Sequence, residues 1–273
     1  MVQCVDRVEK TPMKYSCGSL ALAAVACLST AASAQQHPDI SGLWTRGGAA
    51  ETPFRPPPSG PGPVTTLRLP GLSVPRLAGD YNASILQPWA ADVVHRQSDA
   101  VRAGKTVNAP QETCWPMGVP YILELNFHTQ IIDDNKQIVF LYERHNQPRI
   151  ARLNASHPAT VKTSWFGDSV ARLEGDTLVV DTVGLDPRSW VDNFATPHTD
   201  KLHVVERYRR RDAGNLDVTV QVDDPGAFTT PWSALVNYHK DDEPWLEVAC
   251  SENNIDAATG KPYAMPLAAK ADF

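Results

Sequence analysis

No basic run and no aromatic–basic stripe interrupts this chain of 273 residues, and its formal charge is −6. The electrostatic footprint of a nucleic-acid partner is therefore lacking. A glycine-rich phosphate loop and a dinucleotide fingerprint are lacking too, because Gly47-Gly48 stands outside any strand–turn–helix setting. Nucleotide cofactors are not expected. No H-x-H, H-E-x-x-H or C-x-x-C spacing occurs, so a metal is not expected from spacing either. The remaining metal alternative is a set assembled in space from His157, Asp168 and His198, two imidazoles and a carboxylate. The apolar run from Gly18 to Leu28 is too short for a stable transmembrane helix.

That run has a different reading. Lys14 precedes it, and Ala32-Ser33-Ala34 ends it with an A-x-A site, which is the pattern of a secretory signal peptide over residues 1–34. Met13 is an alternative start to Met1, since the residues before it add nothing to the pattern. Cleavage after Ala34 sends the mature chain to the periplasm or outside the cell. Of five cysteines, Cys4, Cys17 and Cys27 leave with the peptide. Cys114 and Cys250 remain, and in an oxidising compartment they are expected to pair. Two unpaired buried thiols are the alternative.

Residues 35–273 read as one β-rich domain. Ile40, Gly42 and Trp44 mark a first strand within 37–46. Residues 53–75 hold eight of the 23 prolines, which suits an extended surface segment and excludes a sheet interior. A helix is expected over 89–103, after Pro88 and before Gly104, with Trp89, Val93, Ala100 and Val101 as its apolar face. From about residue 122 the period becomes two. Ile138, Phe140 and Tyr142 alternate, as do Leu178 and Val180, and Leu216, Val218, Val220 and Val222. Turns fall at Asp133-Asp134-Asn135, Glu174-Gly175-Asp176 and Gly214-Asn215. Leu235 and then Leu246 with Val248 are expected in the last strands. Short strands and one helix predict an antiparallel barrel-like meander of about eight to ten strands, a shape with no open edges.

Two resemblances follow from these residues. Gly42-x-Trp44 near the start of a β protein resembles the lipocalin and wider calycin barrels. The stretch from Trp165-Phe-Gly-Asp-Ser-Val170 through Glu174-Gly-Asp-Thr-Leu-Val-Val-Asp-Thr182, Pro197-His198 and Leu202-His-Val-Val-Glu-Arg-Tyr208 resembles an uncharacterised family of secreted bacterial proteins. That likeness runs from about residue 110 to the C-terminus. The family carries D-G-R-x-H-P where this chain has the Asn154 to Pro158 stretch, and often Trp in place of Leu173. The resemblance implies secretion and an organisation, and brings no reaction with it.

Candidate chemistry concentrates between residues 157 and 207. On the strand 202–208, alternation puts Leu202, Val204, Glu206 and Tyr208 on one face and His203, Val205 and Arg207 on the other. If the first face is inside, Glu206 is a buried carboxylate, which suits either a general acid or base or a structural pair with an arginine. His157 and His198, each beside a proline, are candidate proton shuttles, with Asp168 as a second carboxylate and Arg207 as an electrostatic clamp. Trp165, Trp190, Asp192, Asn193 and Phe194 are candidate ligand contacts. His128, His145 and His239 lie in or beside strands and carry less weight. Gly167-Asp168-Ser169 followed by Asp200-Lys-Leu-His203 imitates the blocks of GDS-type esterases, and is read as coincidence. Two functions remain open. One is an exported, cofactor-free enzyme doing acid/base chemistry (a lyase, isomerase, dehydratase or hydrolase) on a small, partly apolar molecule. The other is a lipocalin-like binder of a small ligand. A contact role in the cell envelope, with the Pro-rich segment as the arm, is a third possibility.

Overall fold

Alternation of apolar and polar residues dictates a closed barrel. The computed structural model describes residues 39–46, 53–75, 77–105, 114–250 and 260–262. The signal-peptide reading, with Met13 and Ala34, lies outside them. Nine strands follow in chain order: β1 (Gly42–Thr45), β2 (Thr129–Asp133), β3 (Gln137–Tyr142), β4 (Gln147–Leu153), β5 (Asp168–Glu174), β6 (Thr177–Val183), β7 (His203–Asp212), β8 (Asn215–Asp223) and β9 (Trp232–Lys240). Each pairs with its neighbour in sequence, and β1 closes on β9. Ile138, Phe140 and Tyr142 of β3 point inward, as do Leu216, Val218, Val220 and Val222 of β8. The expected turns stand at 133–135, 174–176 and 214–215.

Three details depart from the simple meander. β4 and β5 are parallel, with Ala151 opposite Ser169. A parallel pair needs a long crossover, and the chain between Leu153 and Asp168 supplies it. Leu235 lies on the outer side of β9, while Trp232, Ala234, Val236 and Tyr238 fill the inner side. Leu246 and Val248 form no strand, because β9 already completes the ring.

Among the described residues one α-helix, α1, spans Pro88–Arg102, and Gly104 follows it at φ +67°. Its buried stripe is Ala90, Val94 and Ser98, not the expected Trp89, Val93, Ala100 and Val101. Ser98 makes this possible by donating to the Gly79 carbonyl at 2.9 Å, while Trp89 stays exposed and donates its indole N–H to Gly226. The Pro-rich segment runs along β9. The Leu235 N–H donates to the Arg55 carbonyl at 2.8 Å and the Ser233 N–H to the Pro61 carbonyl at 3.1 Å. β1 is too short to cover that part of the β9 edge, so the segment does so and leaves fewer open ladder groups. Phe54, Val64 and Leu67 anchor it in the core. Cys114 and Cys250 form a disulfide that ties the loop before the buried turn Tyr121–Glu124 to the C-terminal segment.

Candidate functional site

Strand alternation sends the candidate residues to different places. Glu206 points into the barrel and is fully buried. It faces Arg149 of β4, which donates to both of its oxygens, one at 3.1 Å. Arg149 also donates to Ser169 Oγ at 3.0 Å and to Thr182 Oγ1 at 2.6 Å. Tyr208 donates its hydroxyl to Glu206 Oε1 at 2.7 Å. Burial opposes the charge on Arg149, but the facing carboxylate outweighs it and holds the guanidinium above its ordinary value. Burial raises Tyr142 to about 12. This is a satisfied ion-pair layer, the arginine alternative raised for Glu206. The space beside it, among Trp44, Leu123, Thr129, Ile131, Tyr208 and Tyr238, is too narrow for a water molecule. Ser169 is itself buried, and His203 lies on the opposite face of the sheet, so the esterase-like blocks do not meet.

His198 is buried in the loop before β7. Its Nδ1 faces the Thr199 carbonyl at 2.8 Å and its Nε2 faces Ser189 Oγ at 2.9 Å. A carbonyl only accepts, so Nδ1 carries the hydrogen. Burial holds the imidazole below its ordinary pKa, which fits the neutral form.

His157 and Asp168 do come together, on the outside of the barrel. The β4–β5 crossover lays His157 over the sheet, with Nδ1 2.6 Å from Asp168 Oδ1 and Nε2 3.2 Å from Asp181 Oδ1. His203 Nε2 reaches the same Asp181 oxygen at 2.8 Å. Arg152 forks onto Asp168 at 2.8 and 2.9 Å. The Arg152 hydrogen bond, helped by His157, holds the Asp168 carboxyl below its ordinary range. The chain Arg152–Asp168–His157–Asp181–His203 thus crosses four strands on one outer face. The 2-His-1-carboxylate set is not assembled, because His198 lies in the separate Ser189 environment.

Arg207 shares that outer face of β7. Asp181 is paired with Val205, which makes Arg207 its diagonal neighbour, roughly 7–8 Å away by strand geometry. Arg207 lines a groove of about 370 Å³ with Arg55, Arg209, Thr177, Thr219 and Asn237. Arg209 is paired with Asp176 at 2.9 Å. Asp217, also in the wall, accepts from Arg211 and Asn237. Arg55 and Arg207 have no carboxylate partner among the described residues. Arg207, expected as an electrostatic clamp, thus shares the groove with Arg55, which sequence pattern does not single out because its position depends on the Pro-rich segment bridging to Leu235.

The aromatic and polar ligand candidates are dispersed. Trp165 packs against Trp115 at 5.3 Å and carries the Arg188 guanidinium over its ring at 4.5 Å. Trp190 packs on Tyr121. Phe194 is core. Asp192 accepts from the Phe194 and Thr196 N–H groups and from the Thr196 hydroxyl, which locks its own turn. The Asn193 N–H donates to Glu124 at 2.7 Å. Glu124 is a buried carboxyl that sequence reasoning did not single out. Burial, then the nearby Asp192, raises it to about 8, and burial raises Asp192 to about 6.

Comparison of the chain with family models, curated proteins and solved structures finds no match.

Proposed function

We propose that the protein is an exported β-barrel that binds a small anionic molecule, bearing a carboxylate or a phosphate, in the groove outside β6–β9. The observation that carries this reading is the pair Arg55 and Arg207, two guanidinium groups without a carboxylate partner among the described residues, at one groove. Planar guanidinium forks suit carboxylate and phosphate oxygens. Thr177, Thr219 and Asn237 add neutral hydrogen-bonding groups, and Leu235 adds an apolar wall for a partly apolar ligand. The filled interior argues against a ligand inside the barrel, as in a lipocalin-like carrier. The disulfide supports export, since such bonds persist in oxidising compartments. No described helix is long and apolar enough to cross a membrane.

Calorimetric titration with inorganic phosphate, succinate and benzoate tests the reading. At least one anion is expected to saturate a single site, more weakly at high salt. Arg207→Ala should lower that affinity about tenfold to a hundredfold, the worth of a charge-assisted hydrogen bond. No saturable binding, or equal binding by Arg207→Ala and Arg55→Ala, would refute it.

A second reading, favoured by the carboxylate–imidazole chain beside Arg207, adds acid/base chemistry to the groove. His157 would exchange a proton with the bound anion through Asp181, with no cofactor. Recovery of every bound ligand unchanged would leave the protein a binder.

A further inference from the structure

Among the described residues, ligand atoms of His128, Asp241 and Glu243 all lie within 4.8 Å of one another. The three share no residue with the anion groove. His128 immediately precedes β2, and Asp241 immediately follows β9. We propose that His128, Asp241 and Glu243 bind a first-row divalent cation, zinc above all, with Glu143 orienting the imidazole.

The tautomer is the first argument. Glu143 is buried, and its Oε1 accepts the Leu246 N–H at 2.8 Å while its Oε2 accepts the His128 N–H at 3.1 Å. A carboxylate held by two backbone donors is an acceptor. The His128 Nδ1, 2.9 Å from Oε2, is therefore the donor. That leaves Nε2 as the ring position turned toward the other two carboxylates. A histidine that binds a metal commonly gives its second ring N–H to a carboxylate in this way, which fixes both tautomer and ring angle.

Spacing is the second argument. His128 Nε2 stands 3.1 Å from Asp241 Oδ2. Two ligands each about 2.0–2.2 Å from one zinc ion, in tetrahedral or octahedral arrangement, stand about 2.8–3.6 Å apart. Asp241 Oδ1 is engaged by the Glu243 N–H at 2.9 Å, so Oδ2 is the oxygen that faces the site. The same contact turns the backbone at Glu243 back toward the site.

Charge and framework are the third. Glu143, Asp241 and Glu243 are three carboxylates, and among the described residues no lysine or arginine pairs with any of them. A divalent cation would balance this excess. The donors sit on a preformed frame: the Asp241 N–H is held by the Leu43 carbonyl at 3.0 Å and the Glu143 N–H by the His128 carbonyl at 3.0 Å. The segment after β9 is tied down by Leu246 and by the disulfide at Cys250. An imidazole with two carboxylates suits zinc better than calcium or magnesium, which prefer oxygen alone. Three protein ligands leave a coordination position for water.

Untagged full-length protein, stripped with a chelator and titrated with zinc chloride in a calorimeter, tests this. One equivalent is expected to bind at about 10 μM or tighter. Glu243→Gln, at an exposed position, and Asp241→Asn should each weaken zinc at least tenfold, with metal-free melting curves unchanged. Cobalt should give visible d–d bands that His128→Asn removes. Binding weaker than about 1 mM, zinc affinity unchanged in both carboxylate variants, or magnesium binding as tightly as zinc would each overturn the assignment.

Discussion

Replacing Glu206 by Gln asks most sharply whether the barrel interior is architecture or active site. The substitution keeps the shape and removes the charge. Arg149 would keep Ser169, Thr182 and Tyr142 but lose its bidentate counterion. The new amide would also turn an NH₂ group toward a guanidinium that can only donate. Breaking one side of a buried pair costs about 3–5 kcal/mol, and the Tyr208 hydrogen bond, now to a neutral oxygen, weakens by about 1 kcal/mol. A domain of this size holds about 5–15 kcal/mol in all, so the variant should fold with little margin. Its melting point should fall by about 8–24 °C. Urea unfolding gives the free energy directly, and a double variant, Arg149→Met with Glu206→Leu, should recover most of the loss. A Glu206→Gln protein within about 1 kcal/mol of the parent would refute the claim that this pair organises the core.

Glu124 gives a pH signature. Its folded-state pKa is raised to about 8 from 4.5, so the folded protein keeps a proton that the unfolded chain has lost. The stabilisation is full below about pH 4.5 and is lost as pH rises through 8. Between about pH 6 and 7 the slope should approach about −1.4 kcal/mol per unit and fall to about half of that at about pH 8, and Glu124→Gln should flatten it in urea titrations. His198, shifted down by burial, acts oppositely: its contribution is present above its unfolded pKa of about 6.5 and is lost at lower pH, a loss that His198→Gln should abolish. The double serine variant of Cys114 and Cys250 opens a loop with a sequence separation of 136 and should cost about 4–5 kcal/mol in chemical denaturation. His157→Asn, in a half-exposed ion-pair chain, should move the melting point by no more than about 4 °C. A larger drop would mean that the crossover depends on it.

Local pattern and long-range placement were not equally legible. Strict alternation in Leu216 to Val222 placed β8, and Pro88 and Gly104 bracketed α1, because strand period and helix ends are set by neighbouring residues. The face of β7 could not be chosen from sequence, since each side mixes apolar and charged groups. Arg149 decides it from a strand 57 positions away. Glu124 sits in Tyr121-Ile-Leu-Glu124, where nothing local separates a buried carboxyl from an exposed one, and its partners Phe54 and Asn193 are distant in the chain. His157 and Asp168 met because a parallel strand pair forces the crossover over the outer face, while His198 fell into a turn closed by Ser189 and Thr199. The groove depends on Arg55 arriving beside Leu235, a contact across 180 positions that composition alone does not encode.

The most direct test of the outer-face reading is the side-chain Nε–H spectrum of the arginines during titration with inorganic phosphate and benzoate. Saturable shifts are expected for Arg207 and Arg55 in the groove, with Arg149 inside the barrel unmoved. Shifts at Arg149, or none at Arg207, would contradict it.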